Sequence, residues 1–262
     1  MSLINGGFLY KGARALADFL FPPTCISCNN ILDSGTNEVM CNVCRVKWEN
    51  AKTSIKNLFH GQAVVPFEIE DAPYNKDSYI ASLINYRPIT LDSGFAVGKR
   101  LIFELKRHNF KRHIDFLSKE LENLVRDTMS DVHNYNGYTV VSIPRNPINY
   151  IKTANDGVRE IGKSLAAKLN CEYADILVKS IFSKEQKFLS AAQRSKNVSG
   201  NIRLRKESAR RIKDRRIILI DDVVTTGATV KEAARLLMCE GKAQSVYVYS
   251  IAQNADRLIR NL

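Results

Sequence analysis

Ile217-Ile218-Leu219-Ile220-Asp221-Asp222-Val223-Val224-Thr225-Thr226-Gly227-Ala228-Thr229 reads as an apolar strand, two acids at its end and a loop of small residues that enters a helix. Successive backbone N–H groups of Thr225, Thr226, Gly227, Ala228 and Thr229, with the threonine hydroxyls, can enclose a phosphate where the helix dipole favours an anion. The adjacent carboxylates of Asp221 and Asp222 can accept hydrogen bonds from ribose hydroxyls or act through a bound Mg²⁺. No GK[ST] follows, so the loop is not a Walker A, and no GxGxxG is present, so it is not a dinucleotide fingerprint.

Outward from this loop, strands and helices alternate. Tyr138 to Ile143 reads as a buried strand ending at Pro144, and Val158, Ile161, Leu165 and Leu169 mark a helix. Ala174 to Val178 reads as a short strand, Arg216 to Ile220 as a central one, Thr229 to Cys239 as a helix closed by Gly241, and Ser245 to Ile251 as a further strand. The alternation predicts an α/β fold with a doubly wound parallel sheet, in which ligands lie beyond the C-terminal strand ends. Two segments fall there, Pro144-Arg145-Asn146 and Asp221 to Thr229, so Arg145 is a candidate to meet a second anionic group.

Upstream, Gly98 to His113 reads as a helix running into the basic stretch Lys106 to His113, and Ile114 to Arg126 as a second amphipathic helix. His108 and His113 lack a partner at ligand spacing and are expected on the surface. Between Ala51 and Ser93 the apolar stretches are interrupted by Pro66, Pro73 and Pro88, which predicts a connector or irregular strands.

Near the N-terminus Cys25-Ile-Ser-Cys28 and Cys41-Asn-Val-Cys44 form two CxxC pairs separated by twelve residues. This spacing brings four thiolates to one tetrahedral zinc, a closed site whose role is to fold a segment with too few apolar groups of its own. A redox dithiol or an iron site is the alternative. Cys171 and Cys239 are expected as core thiols. Ala13, Leu16, Ala17 and Leu20 recur at helical spacing before Pro22-Pro23, as a helix packed on the cysteine module or, less simply, a membrane anchor. The expected organisation is an N-terminal helix and zinc ribbon over 1–50, a connector over 51–95, and the sheet domain over 96–262.

The 262 residues are 45% apolar, enough for a sizeable core, and no run is long enough to span a membrane. No signal-peptide h-region is present, which predicts a cytoplasmic protein, a reducing setting that suits cysteines bound to metal better than disulfides. Lys and Arg number 39 against 27 Asp and Glu, a net +12 that favours anionic partners. Gln193 to Arg216 alone carries ten basic residues against Glu207 and Asp214, as a nucleic-acid surface or simply a solvated face. It holds no aromatic residue, so single-strand binding there would rest on phosphates.

The apolar strand, Asp221-Asp222-Val-Val-Thr-Thr-Gly-Ala-Thr229 and helix resemble the ribose-phosphate motif of type I phosphoribosyltransferases. With Cys25, Cys28, Cys41 and Cys44 upstream, the whole chain resembles the ComF family, which joins an N-terminal zinc ribbon to a phosphoribosyltransferase-like domain. Gly98 to Lys106 resembles that family's helix between ribbon and sheet, and Gln186 to Ser190 through Arg194, Asn197 and Gly200 its mobile hood. After Ile143-Pro144 the family usually has a leucine-histidine step and an Arg-Gly-Phe-Asn-Gln run. Here Arg145-Asn146-Pro147 and Thr153-Ala154-Asn155-Asp156-Gly157 stand instead, without that arginine.

The resemblance implies phosphoribosyl pyrophosphate or a similar ribose phosphate as ligand. Its 5-phosphate would lie on Thr225 to Thr229 and its ribose on Asp221 and Asp222, with Mg²⁺ bridging ribose and pyrophosphate. An active protein would be a phosphoribosyltransferase, with Asp221 and Asp222 as its catalytic acids and a hood over about 183–197 closing the site. The family's association with DNA uptake also implies the alternative of a non-enzymatic single-stranded-DNA-handling protein on a relict transferase fold, with a helicase-like partner.

Overall fold

The computed structural model describes residues 22–33, 38–58, 64–69, 78–85, 93–107, 111–153, 155–179 and 201–259. The expected helix near Ala13 to Leu20 and the hood over 183–197 lie outside them.

Among these residues the elements are helix α1 (Asn42–Leu58), strands β1 (Val64–Pro66) and β2 (Tyr79–Asn85), helices α2 (Ser93–Arg107) and α3 (Lys111–Thr128), strand β3 (Tyr138–Ser142), and helices α4 (Pro147–Thr153) and α5 (Gly157–Leu169). Strands β4 (Glu172–Tyr173), β5 (Leu177–Lys179), β6 (Ile202–Leu204) and β7 (Arg216–Val224), helix α6 (Ala228–Arg235), strand β8 (Ser245–Gln253) and helix α7 (Ala255–Ile259) complete them. Six strands form one sheet in the order β1-β2-β8-β7-β3-β4. Only β1 within it runs antiparallel to its neighbour. β5 and β6 form a separate antiparallel pair.

Ile217, Ile218, Leu219 and Ile220 of β7 are all at most 1% exposed, because this central strand has side chains covered on both faces. One apolar cluster joins the sheet to α2, α3, α5 and the cysteine module, and the other joins it to α6, α7 and the β5–β6 pair.

Several local expectations change in the structure. The stretch 51–95, expected as a connector or irregular strands, supplies β1 and β2 of the main sheet, and α1 spans residue 50. Tyr79 to Asn85 hides from sequence reading because its centre is buried on both faces and shows no alternation; Ser82 Oγ meets Ser250 Oγ at 2.6 Å and donates to Gln253 Oε1 at 3.0 Å across the β2–β8 ladder. β7 extends through Asp221 and Asp222 to Val224, since β8 runs beside it in register to Gln253. His113, expected on the surface, is 8% exposed, with Nε2 3.0 Å from the carbonyl oxygen of Ile26. Of the expected strand over 174–178 only Leu177 and Val178 lie in a strand, β5, while β4 ends just before that span at Tyr173 in the main sheet, and the helix after residue 228 loosens into a π-turn at Leu236–Glu240. Cys171 and Cys239 are half-buried, and Cys171 packs against the core.

Among the described residues no helix is long and apolar enough to cross a membrane.

Candidate functional site

β7 ends at Val224 and α6 begins at Ala228, so residues 225–227 must turn the chain from the sheet edge into a helix. Gly227 makes that turn at φ +77°, and no side chain caps the helix start. The first-turn amides therefore face a small cavity of about 30 Å³ lined by Asp221 and residues 223–230. Uncapped amides at a positive helix end are a seat for a phosphate-sized anion. The C-terminal segment closes the other side, where Asn254 N donates to Val224 O at 2.8 Å.

Beside this seat lies a larger cavity of about 310 Å³. Asp221, Asp222, Val223 and Thr229 form one wall, Ile143 to Asn146 beyond β3 a second, Asp156 to Val158 at the start of α5 a third, and Leu105 and Lys106 of α2 a fourth. The expected site residues thus converge: Arg145, Asp221, Asp222 and Thr229 share one cavity, and Thr225 to Ala228 line the adjoining seat with Asp221 and Thr229.

The two acids are not equivalent. Asp221 Oδ1 accepts the backbone N–H of Asp222 at 2.8 Å, and Asp222 Oδ2 pairs with Lys106 Nζ at 2.8 Å. Burial pushes the Asp221 carboxyl up to about 8, and the neighbouring charge of Asp222 adds to this, while that N–H and the charges of Lys179 and Lys106 oppose it. The site thus holds a carboxyl that keeps its proton more readily than an ordinary aspartate, next to one paired with a lysine.

Sequence reading missed Lys106, Asp156 and Lys179. Lys106 was visible only as one cation in a basic stretch, and Lys179 carried no signal. Asp156 stood where an arginine was expected and could have been read as a helix cap: it is the N-cap of α5, accepting Arg159 N at 3.3 Å. Arg145 is turned toward the same corner, where its Nη1 donates to Asn155 O at 2.6 Å. Asn155 Nδ2 in turn donates to Leu105 O at 2.9 Å.

A second cavity of about 220 Å³ adjoins the first across Pro144, Arg145, Asp156 and Lys179. It is lined by Tyr150, Tyr173, Asp175 and Arg205, and by Arg159, which pairs with Asp175 at 2.8 Å. Tyr150, 47% exposed, puts an aromatic ring next to the basic segment that has none of its own.

The four cysteines form the one described group of at least three His, Cys, Asp or Glu side chains able to hold a metal, with sulfurs within 4.8 Å of one another. Backbone bonds shape the module: Cys25 N donates to Asn30 O at 2.8 Å and Ile26 N to Val39 O at 2.9 Å, with Asn29 at φ +63°. An all-sulfur set of this size suits a tetrahedral ion such as zinc. The module is bound to the sheet domain through Trp48, 1% exposed, whose Nε1 donates to Glu120 Oε2 at 2.9 Å. Lys52 Nζ reaches the same oxygen at 2.7 Å.

The sequence pattern of the phosphoribosyl transferase domain matches residues 105–260, and the chain belongs to that family. The likeness to ComF proteins is borne out by relatives: the competence protein ComFC of Streptococcus pneumoniae is 28% identical over 61% of this chain and 70% of its own length. The DNA utilization protein YhgH of Escherichia coli K12 is 35% identical over 30% of this chain, an alignment spanning 34% of YhgH. Among solved structures, a hypoxanthine phosphoribosyltransferase from Staphylococcus aureus is 16% identical over 55% of this chain and 65% of its own, at a TM-score of 0.35.

Proposed function

We propose that the protein is a ComF-like component of DNA uptake that binds a ribose 5-phosphate ligand, phosphoribosyl pyrophosphate or a related compound. The uncapped α6 N-terminus beside Asp221 and Asp222 carries this reading. The amides of residues 225–229 would hold the 5-phosphate, and the two carboxyl groups would accept hydrogen bonds from the ribose hydroxyls. Mg²⁺ bound with the ligand would neutralise phosphate charge. Positive charge developing at the sugar carbon during group transfer would be stabilised by the same carboxylates. No described residue is placed as the base or amine that receives the sugar, so the geometry supports binding more strongly than turnover.

The ion on Cys25, Cys28, Cys41 and Cys44 is inferred to be structural zinc, which suits a reducing, cytoplasmic setting.

Calorimetric titration of the zinc-loaded protein with ribose 5-phosphate and with phosphoribosyl pyrophosphate, each with Mg²⁺, tests the reading beside Asp221→Asn/Asp222→Asn. Saturable binding of either ligand that the double variant loses is the expected result. No binding of either by the wild type overturns it.

A second reading, single-stranded DNA handling, is favoured by the exposed cations Arg203, Arg205, Arg210, Arg211, Lys213 and Arg216, with Tyr150 and Arg205 sharing one cavity. A helicase-like partner would belong to this reading.

A further inference from the structure

We infer that Asp156 makes this site select a ribose 5-phosphate ligand with an uncharged group at C1, ribose 5-phosphate itself or a nucleoside 5′-monophosphate, over phosphoribosyl pyrophosphate. The inference rests on the ribose-phosphate reading and names its ligand class. With the 5-phosphate on residues 225–229 and the ribose at Asp221 and Asp222, the rest of the 310 Å³ cavity receives what C1 carries. Its walls there are Arg145, Asp156, Lys106 and Lys179.

A pyrophosphate needs positive charge and free N–H donors in that space, and two of the three cations there are already engaged, although Arg145 keeps its charge. Lys106 is paired with Asp222 at 2.8 Å, and Arg145 donates to Asn155 O at 2.6 Å. The start of α5 would be the natural second anion seat, but the carboxylate of Asp156 already occupies it, accepting Arg159 N at 3.3 Å. This differs from the start of α6, where no side chain fills the place of the ligand phosphate. Burial raises the Asp156 carboxyl above its ordinary value and the charge of Asp175 adds to this, with the Arg159 N–H and the charges of Arg159 and Arg145 offsetting only part of the rise. A pyrophosphate thus meets a like charge at the position where it most needs a donor. A C1 hydroxyl or a base N–H meets an acceptor instead.

The test is competitive calorimetry on the full zinc-loaded chain with ribose 5-phosphate and phosphoribosyl pyrophosphate, both with Mg²⁺. It is run on the wild type and on Asp156→Ser and Asp156→Asn, which keep a capping oxygen and remove the charge. The wild type is expected to prefer ribose 5-phosphate, and the affinity ratio should move toward phosphoribosyl pyrophosphate by at least about tenfold in both variants. Tighter wild-type binding of phosphoribosyl pyrophosphate, with a ratio that neither variant moves, overturns the inference and leaves the ribose-phosphate reading standing. Binding of neither ligand to any of the three proteins overturns both.

Discussion

Lys106 Nζ and Asp222 Oδ2 stand 2.8 Å apart, so the last turn of α2, whose Leu101 and Leu105 are core residues, also fixes one acid of the candidate site. Lys106 is about half exposed, which limits the stability of this pair to roughly 1 kcal/mol or less. Its larger effect is orientation. Lys106→Met is expected to weaken ribose 5-phosphate binding by about three- to tenfold, roughly 1 kcal/mol, with a melting temperature close to that of the wild type. Calorimetry and a thermal melt read the two effects separately.

Asp221 makes stability depend on pH. Its folded-state value of about 8 lies above the roughly 4 of an unfolded aspartate, so across that window the folded chain keeps a proton that the unfolded chain releases. Stability should therefore fall as pH rises from about 4 to about 8. Asp221→Asn removes this component, and its melting temperature should exceed that of the wild type near the top of the window while ribose 5-phosphate binding is lost. Parallel melts at several pH values check it. A variant that melts below the wild type at the high end contradicts the assignment.

Gly227 adopts φ +77°, and a β-carbon there would sit 3.1 Å from Leu258 Cδ1. Gly227→Ala is expected to cost about 1–2 kcal/mol, a drop of several degrees in melting temperature. It should also remove phosphate-ligand binding, because the amides of residues 225–229 keep their direction only while this turn holds. The same variant at Gly137, where nothing lies within 4 Å, serves as the control.

Trp48 is the sole tryptophan of the chain and is 1% exposed, so its emission reports the seat of the cysteine module on α3. Its ring lies 5.8 Å from that of Phe116. The protein as isolated should carry about one zinc per chain. Chelation at elevated temperature, or Cys25→Ser, should release the metal and shift Trp48 emission to longer wavelength as the module loosens. Metal content by atomic absorption and the emission spectrum should change together.

Replacing Arg203, Arg210 and Lys213 with glutamine should weaken binding of a single-stranded oligonucleotide and reduce the slope of log affinity against log salt by about two. Ribose 5-phosphate binding should be retained, since none of the three lines the two cavities proposed to take it. Tyr150→Ala tests stacking, with an expected loss of about 1–3 kcal/mol per base contacted.

The apolar run of β7 and the small residues behind it were legible because both signals are local: four consecutive aliphatics at a strand length, then a turn that only small residues accommodate. The cysteine pairs were legible for the same reason. Tyr79 to Asn85 was not, since a strand covered on both faces has no alternation and its partner is named only by the register with Tyr247 to Gln253. His113 looked like one more residue in a basic stretch until the cysteine module met it. Asp156 and Lys106 gain their roles from partners supplied by the folded chain, an N–H one turn along in one case and Asp222 in the other.

β2 sits in the sheet between β1 and β8, and the Ser82–Ser250 contact within it joins residues 168 apart in the chain. During synthesis, the early segment that holds α1 and β2 therefore emerges from the ribosome long before the strand that covers its edge. Until β8 arrives, β2 lacks that neighbour and exposes backbone that pairs readily with other nascent chains. Metal uptake by the cysteines can precede this step, since all four are translated first, which gives the growing chain one settled element while its sheet waits for the last strand. Production in cells is thus expected to favour slow synthesis and low temperature, and a chain ending before β8 to accumulate as aggregate.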